Sequence, residues 1–253
     1  MVNKPNLKHG YRQSSHLRRQ TAHNGNPISN AILGRIPDHE YALIATHLEF
    51  TRTQDHEVLY EAGERLEYAY FPNRGLICVV TEISDGRTLE VGVVSKGGYL
   101  GESNTVGPGT CTHKLVAQPA IDGFRIQAEV LQSILPETPD LRLRLGLYSR
   151  FQCMRTSQIA ACNRFHEIEQ RLARWLLMSQ DRVGSAILPF THEFLAGMLG
   201  TGRATVTLAA GILQKAGMIG YHRGAVKIVN RKLLERAVCE CYGAIRQVEL
   251  TIS

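Results

Sequence analysis

Short apolar runs separated by glycine-rich turns dominate the chain between residues 58 and 126. The runs occupy residues 58–60, 68–71, 76–80, 89–94, 114–117 and 123–126. Turn-forming sequences such as Ser84-Asp85-Gly86 lie between them, and strands spaced roughly 8–12 residues apart are typical of an all-β sandwich or barrel. The pattern predicts an antiparallel jelly-roll barrel, because the crossover helices of a parallel sheet would not fit between the runs.

Helical periodicity lies on both sides of this region. Residues 32–50 carry apolar side chains three and four positions apart, which predicts short helices ahead of the strands. After Pro139 the same spacing continues through Leu143, Leu147, Phe151, Met154, Gln158, Ala161 and Phe165. A helix of this length exceeds what a small barrel can cover, so we interpret its apolar stripe as a seam for a second helix, with packing on the barrel as the alternative. Another helix follows and ends near Gly184.

The most specific local pattern is a helix-turn-helix followed by a hairpin. Thr191 is a good N-cap for a short helix, Gly200-Thr201-Gly202 ends that helix, and a second helix runs from about residue 203 to residue 216. The side chains expected to be buried on the two helices are Phe194, Leu195, Met198, Leu199, Val206, Ala209, Ala210, Ile212 and Leu213. Residues 218–221 and 225–229 have the pattern of two strands joined by His222-Arg223-Gly224. We therefore predict a winged helix-turn-helix in preference to an ordinary helical hairpin.

The exposed residues of the second helix are placed to enter a DNA major groove. Arg203 can bind guanine through two hydrogen bonds, and Thr205 and Thr207 can reach phosphates or thymine methyl groups. The expected interface adds the start of the first helix, the turn and the wing. The complete set of expected DNA-contacting residues is Thr191, His192, Thr201, Gly202, Arg203, Thr205, Thr207, His222 and Arg223.

The distribution of charge supports this division of the chain. The 253 residues carry a net charge of +6, with +5 in residues 1–30, −3 in residues 31–184 and +4 in residues 185–253. A basic C-terminal part suits a polyanionic partner, whereas an acidic middle part does not. The first thirty residues are polar and basic, so we expect a flexible arm there. Neither a bilayer-spanning apolar run nor a secretory signal pattern occurs, which favours the cytoplasm and no membrane partner.

The histidines and cysteines form no recognisable catalytic or metal-binding pattern. Of the six cysteines, Cys239 and Cys241 are two positions apart, but two ligands without a nearby His make a poor metal site. A cupin-type metalloenzyme, the enzymatic alternative for a barrel, needs a His-x-His pair that the sequence lacks. We therefore expect reduced thiols, no metal and no enzymatic activity.

Residues 32–246 as a whole resemble the CRP/FNR family of bacterial transcription regulators. The matching segments are Val58-Leu59-Tyr60-Glu61-Ala62-Gly63-Glu64, Gly98-Tyr99-Leu100-Gly101-Glu102, Arg171-Leu172-Ala173 and Gly202-Arg203-Ala204-Thr205-Val206. The resemblance implies an α+β chain with four parts: the arm (1–30), a cyclic-nucleotide-binding-type effector barrel (31–137), a dimerisation helix (138–165) and a winged helix-turn-helix domain (166–246). It further implies a homodimer on a pseudo-palindrome in double-stranded DNA, a hinge near residues 165–167 and, for an activator, contact with RNA polymerase.

The barrel departs from the cyclic-AMP-binding members of that family. By resemblance, the effector pocket includes Gly101, Glu102, Cys111, Thr112, Thr156 and Ser157. Those members hold the cyclic phosphate with an Arg followed by Ser or Thr, where this chain has Cys111-Thr112 and the nearest cation is Lys114. Because a charge-assisted hydrogen bond to the phosphate is missing, we expect a small-molecule effector other than cyclic AMP, and we assign no cofactor. The alternative is an effector-independent repressor whose barrel serves only as a dimer scaffold.

The second helix of the helix-turn-helix departs from the family as well. Its better-known members usually carry Glu after the matching Arg and another Arg four positions later, whereas this chain has Ala204 and Leu208. Arg203 is therefore expected to make most of the direct base contacts. A different target sequence from that of those members is the consequence.

Overall fold

The computed structural model describes residues 21–22, 25–101 and 109–252, so Glu102 and most of the expected arm lie outside the described residues. The end of that arm is anchored. Ile28 and Asn30 are buried, and the Asn73 side chain accepts hydrogen bonds from the backbone N–H groups of Ser29 and Asn30 at 2.8 and 3.0 Å. These contacts fasten residues 28–30, at the end of the expected arm, to the barrel.

Among the described residues of the barrel, seven strands form two antiparallel sheets; six of them match the predicted runs, and the first along the chain is an addition. They are β1 (Glu49–Arg52), β2 (Glu57–Tyr60), β3 (Tyr68–Arg74), β4 (Ile77–Glu82), β5 (Thr88–Val94), β6 (Lys114–Ala117) and β7 (Asp122–Gln127). One sheet has the order β1-β7-β3 and the other β2-β6-β4-β5. The helical interpretation of Phe50 was wrong: it lies on β1 opposite Phe124 of β7, so a distant strand decides its conformation.

Two short helices and one long helix flank the barrel. They are α1 (Asp38–Ala45), α2 (Ala128–Ile134) and α3 (Pro139–Phe165), with a 3-10 turn (Leu135–Glu137) between the last two. The buried Glu40 carboxylate of α1 accepts hydrogen bonds from the backbone N–H groups of Asp140 and Leu141 at 2.9 and 2.8 Å. It thereby satisfies two of the free N–H groups at the start of α3 and places a negative charge at the positive end of the helix dipole.

The long helix α3 turns one face toward the protein and the other toward solvent. Its buried side chains are Leu141, Leu145, Tyr148, Phe151, Arg155, Ile159 and Cys162. The apolar stripe predicted from the sequence is offset from this face, and only Phe151 belongs to both. Leu143 and Phe165 are 47% and 76% exposed. Most of the predicted stripe therefore lies toward the outer side of α3, away from the barrel.

A buried polar network joins the barrel to α3 and to the next helix, α4 (Ile168–Val183). Arg155 on α3 donates to Glu90 Oε1 on β5 at 2.7 Å, and Trp175 Nε1 on α4 donates to Glu90 Oε2 at 2.6 Å. Because one carboxylate binds groups from both helices, Glu90 fixes the position of each helix relative to β5.

The C-terminal part contains the predicted helix-turn-helix and wing. Its elements are β8 (Ile187–Leu188), α5 (His192–Leu199), α6 (Arg203–Lys215), β9 (Ile219–His222), β10 (Ala225–Ile228), α7 (Arg231–Ala237) and α8 (Cys241–Ile252). The strands form a sheet of order β8-β10-β9. Helices α7 and α8 are additions to the predicted elements, and α8 runs back to pack against α3. Within the described residues, no helix combines the length and apolar character needed to cross a membrane.

Candidate nucleic-acid interface and effector cavity

The turn between α5 and α6 has the geometry that the sequence predicts. The Thr191 hydroxyl caps α5 by accepting a hydrogen bond from the Phe194 backbone N–H at 3.1 Å. Gly200 ends α5 with φ of +60°, a left-handed conformation that costs glycine little. A Cβ atom at Gly200 would also stand 2.9 Å from the Leu89 side chain of the barrel. Glycine is therefore favoured here by the turn, and a larger residue would also require the Leu89 side chain to shift.

Helix α6 divides its side chains between the domain core and solvent. Val206, Ala209, Ala210 and Leu213 are buried, as expected. Ile212 is 55% exposed, so the expectation that it belongs to the core was wrong. The neighbouring Leu213 takes the buried position on that turn of the helix. The exposed face includes Arg203, Ala204, Thr205, Thr207 and Leu208.

His192 and Thr207 support each other at the edge of that exposed face. The Thr207 hydroxyl donates to the backbone carbonyl of Arg203 at 2.9 Å, and His192 Nδ1 lies 3.0 Å from the same hydroxyl oxygen. The His192 ring also packs against the ring of Tyr221 on β9, with centroids 4.1 Å apart. Burial, and secondarily the charge of Arg203, lowers the pKa of His192. The imidazole therefore links the start of α5 to α6 and to the wing.

The wing is a tight hairpin with its polar residues at the tip. Arg223 and Gly224 have φ of +47° and +80°, which is the pair of left-handed residues found in a type I′ turn. His222 and Arg223 are exposed there, as is Lys227 on β10. Of the remaining expected contacts, Gly202 is exposed as the N-cap of α6, and Thr201 is half-buried in the turn. The expected residues thus occupy the start of α5, the turn, the exposed side of α6 and the wing.

Helix α5, rather than α6, packs against the barrel. A Cβ atom at Gly197 would meet the Thr88 hydroxyl at 2.9 Å, which shows how closely α5 approaches β5. The Arg171 guanidinium of α4 donates to the carbonyl oxygen of Leu199 at the end of α5. These contacts fix the helix-turn-helix on the barrel while leaving the face of α6 open to solvent.

A cavity of about 320 Å³ lies between the barrel and α3. Its lining includes Val79, Val91, Leu100, Cys111, Thr112 and Thr156. Three residues of the expected effector pocket, Cys111, Thr112 and Thr156, are thus brought together. Gly101 is buried next to Leu100, whereas Ser157 is exposed and donates its hydroxyl to the Cys153 carbonyl.

Among the described residues that line this cavity, none is an Arg or a Lys. Lys114 instead forms an ion pair with Glu61 at 2.8 Å. His113, which does line the cavity, has its pKa lowered by burial, so its neutral form is favoured. The described part of the lining therefore offers hydroxyl, thiol and apolar groups to a ligand in preference to a positive charge.

Cys239 and Cys241 have neighbours that the sequence interpretation missed. One ligand atom each from Cys162, His166, Cys239 and Cys241 lies within 4.8 Å of the others. The expectation that the two cysteines lack a nearby His was therefore wrong. The available signal was Cys162-x-x-x-His166, whose spacing places both residues on one side at the end of α3, but about 75 residues separate that pair from the other.

Two family models match the chain in the order that the fold shows. Residues 50–137 match the cyclic nucleotide-binding domain, and residues 170–237 match the Crp-like helix-turn-helix domain. The first match covers the barrel strands, and the second contains α5, α6 and the wing.

Relatives of this chain are transcription regulators. The transcriptional regulator SdrP of Thermus thermophilus is 26% identical over 198 residues, which cover 70% of this chain and 92% of SdrP. The cAMP-activated global transcriptional regulator CRP of Pasteurella multocida is 21% identical over 194 residues, covering 74% and 93% of the two chains. The solved structure of the c-di-GMP responsive global regulator CLP of Xanthomonas campestris shares the fold, with a TM-score of 0.65 and 18% identity over 76% of this chain and 99% of CLP. The chain belongs to the CRP/FNR family of transcription regulators.

Proposed function

We propose that this regulator binds a pseudo-palindromic DNA site as a homodimer. The observation that carries the proposal is the open face of α6, on which Arg203 is exposed and, within the described residues, forms no ion pair. A guanidinium that is not already paired can bind the O6 and N7 atoms of guanine through two hydrogen bonds. His222, Arg223 and Lys227 add exposed polar and basic groups on the wing, where the phosphate backbone flanks the groove.

The outer face of α3 supports pairing with a second copy. Leu143, Leu147 and Phe165 are exposed apolar residues along the same helix. Because removing apolar surface from water is favourable, a second copy that covers them would gain stability. Pairing two α3 helices covers these side chains and relates the two α6 helices by a twofold axis. Dimeric helix-turn-helix proteins place the two helices that enter the major groove about 34–36 Å apart, which is one turn of DNA, and α6 is that helix here. A signal in the barrel would then act by changing the hinge near residues 165–167 and the spacing of the α6 helices.

The DNA proposal is tested by selection from a pool of random duplexes with the purified full chain. We expect an enriched pseudo-palindrome with half-sites about 10 base pairs apart. We also expect a dimer in sedimentation, and monomers without specific DNA binding for Leu147→Glu. Val58→Glu, which places the same charge at an exposed apolar position of β2, is the matched control and should remain dimeric. A monomeric wild-type chain, or a pool without an enriched sequence, contradicts the proposal.

The cavity supports an effector other than cyclic AMP. A cyclic phosphate needs a charge-assisted partner, and the described lining supplies no cation for it. Isothermal titration calorimetry of the full chain with cyclic AMP should therefore show no saturable binding, whereas mass spectrometry of the native protein should identify a retained small molecule. Tight cyclic AMP binding contradicts this assignment.

The same lining favours a second candidate, a repressor that needs no effector. In that case the purified chain binds its selected duplex with the same affinity before and after exhaustive dialysis, and no small molecule is retained. In both cases the protein acts on DNA in the cytoplasm and catalyses no reaction. RNA polymerase is a further partner where the bound dimer raises transcription.

A further inference from the structure

A cluster of three cysteines and one histidine lies at the hinge, on segments other than α5 and α6. Cys162 is on the last turn of α3, His166 follows that helix, and Cys239 and Cys241 flank the junction of α7 with α8. The three cysteines are buried, with 0–3% exposure, and His166 is half-buried. Two chain segments that are distant in sequence thus bring soft sulfur and nitrogen ligands to one point.

Two of the distances within the cluster match the edges of a tetrahedral metal site, and every ligand atom lies within 4.8 Å of the others. The Sγ atoms of Cys162 and Cys239 are 3.6 Å apart, and Cys241 Sγ lies 3.6 Å from His166 Nδ1. A tetrahedral zinc ion with bonds of about 2.3 Å to sulfur and about 2.0–2.1 Å to nitrogen places its ligand atoms roughly 3.5–3.8 Å apart. The four ligand atoms are therefore close enough together to bind one ion after small shifts of the side chains.

Neighbouring side chains form hydrogen bonds and ion pairs with the four candidate ligand residues. His166 Nε2 lies 3.1 Å from the Glu240 carboxylate, which leaves Nδ1 to face the sulfur atoms. Arg174 Nε donates to Cys162 Sγ at 3.3 Å, and Gln158 Nε2 donates to Cys241 Sγ at 3.1 Å. A carboxylate on the remote nitrogen of a metal-binding His, and N–H donors to thiolates, are the usual second set of contacts in such sites.

We propose that Cys162, His166, Cys239 and Cys241 bind one Zn²⁺ ion as a closed Cys₃His structural site. Each thiol releases its proton when it binds the ion, and the buried Arg174 guanidinium offsets the net negative charge of three thiolates and one divalent cation. Ligand atoms within 4.8 Å of one another leave no room for a multi-iron core between them. A disulfide between Cys162 and Cys239 is the competing chemistry, but it would give no role to His166 and Cys241.

The bound ion would fasten the C-terminal helix to the hinge. Cys162 and His166 precede α4, whereas Cys239 and Cys241 lead into α8, which packs on α3. Four protein ligands leave no open coordination position, so the site is suited to holding structure and not to catalysis.

The first test measures metal in the full chain, purified under reducing conditions without chelator. We expect one zinc per chain by elemental mass spectrometry. After removal of the metal, Co²⁺ should give the visible absorption bands of a tetrahedral, thiolate-bound ion, and one equivalent of Zn²⁺ should displace it. This readout needs no variant. Absence of zinc together with absence of the tetrahedral Co²⁺ spectrum overturns the proposal, as does a Cys162–Cys239 disulfide in protein that retains zinc.

Variants then identify the ligands. Cys239→Ser and Cys162→Ser should each lose the stoichiometric zinc, and Cys153→Ser, an exposed cysteine on α3 outside the cluster, should keep it. Glu240→Gln should weaken Zn²⁺ affinity by about 10–100-fold while preserving the tetrahedral Co²⁺ spectrum, because it alters the partner of His166 and no ligand. Equal zinc content in Cys239→Ser and Cys153→Ser shows that the metal lies elsewhere and overturns the assignment.

Discussion

The barrel and the helix-turn-helix place their charged groups in opposite ways. In the barrel, Lys114 is paired with Glu61, and Glu90 is buried against Arg155. On α6, Arg203 is exposed and, in the described part of the chain, free of ion pairs. Charges that are already paired hold a fold in place, whereas a free guanidinium can exchange water for a ligand at little cost. The comparison indicates that the charged residues of the barrel stabilise the fold, whereas Arg203 on α6 is available to bind DNA.

The Glu90 network offers the strongest test of the structural side of this comparison. Burial lowers the pKa of Arg155, and the nearby Glu90 carboxylate opposes that shift. Glu90→Gln removes the compensating charge and leaves a buried guanidinium without it. We expect a loss of about 3–5 kcal/mol in the free energy of unfolding, measured by urea denaturation.

Two variants show whether the loss comes from the isolated charge. Glu82→Gln, at the exposed end of β4, is the matched control and should change stability by less than about 0.5 kcal/mol. The double variant Glu90→Gln with Arg155→Met removes both charges and should recover most of the lost stability. If Glu90→Gln alone is as stable as the control, the pair does not fix α3 and α4 on the barrel.

Removal of the proposed zinc ion should have the next largest effect. Free Zn²⁺ at 100 times its dissociation constant stabilises the folded chain by about 2.7 kcal/mol, so a chelator should lower the urea midpoint accordingly. Hydrogen exchange should quicken first in α8, because its attachment to the hinge depends on Cys239 and Cys241. Cys153→Ser should respond to the chelator as the wild type does, and Cys239→Ser should not respond. An unchanged midpoint and unchanged exchange in α8 contradict a stabilising ion.

The sequence predicts those features whose signal is local. The six strand runs and the helix-turn-helix were correct, because alternation, periodicity and the glycines at 200 and 202 act within a few residues. Strand β1 was missed because its partner, β7, lies about 70 residues further along the chain. The cysteine cluster was missed for the same reason, since only the return of α8 to α3 brings its two halves together. The hydrophobic pattern of one segment does not indicate which distant segment it will contact in the fold.

Arg203→Ala tests the recognition side of the comparison. It should weaken binding to the selected duplex by about 1–3 kcal/mol, roughly 5- to 150-fold, and leave binding to random duplex nearly unchanged. Fluorescence anisotropy at fixed salt measures both affinities. Arg236→Ala, an exposed cation of α7 outside the face of α6, is the matched control. An equal loss on both duplexes would show that Arg203 contacts only phosphates.

His192 gives the smallest expected effect. Its ring contacts Thr207 of α6 and Tyr221 of the wing, so its charge affects both the fold and the DNA-binding face. Its pKa is lowered in the folded chain, by burial first and by Arg203 second, from the ordinary value of 6.5. The unfolded chain therefore takes up this proton at a higher pH than the folded chain does. Neutral His192 therefore contributes to the free energy of unfolding at pH values above its pKa in the unfolded chain. This contribution is lost as the pH falls from that pKa toward the lower pKa of the folded chain.

Because His192 is only partly buried and solvent screens its charge, the effect should stay below about 1 kcal/mol between about pH 8 and about pH 5. Urea midpoints should fall less over this range for His192→Gln than for the wild type, and His222→Gln, at the exposed wing tip, should follow the wild type. Affinity for the selected duplex should change in the opposite direction, because protonated His192 adds positive charge beside Arg203. If acid lowers stability equally in His192→Gln and in the wild type, the imidazole does not carry this dependence, and the contact between α5, α6 and the wing is insensitive to its charge.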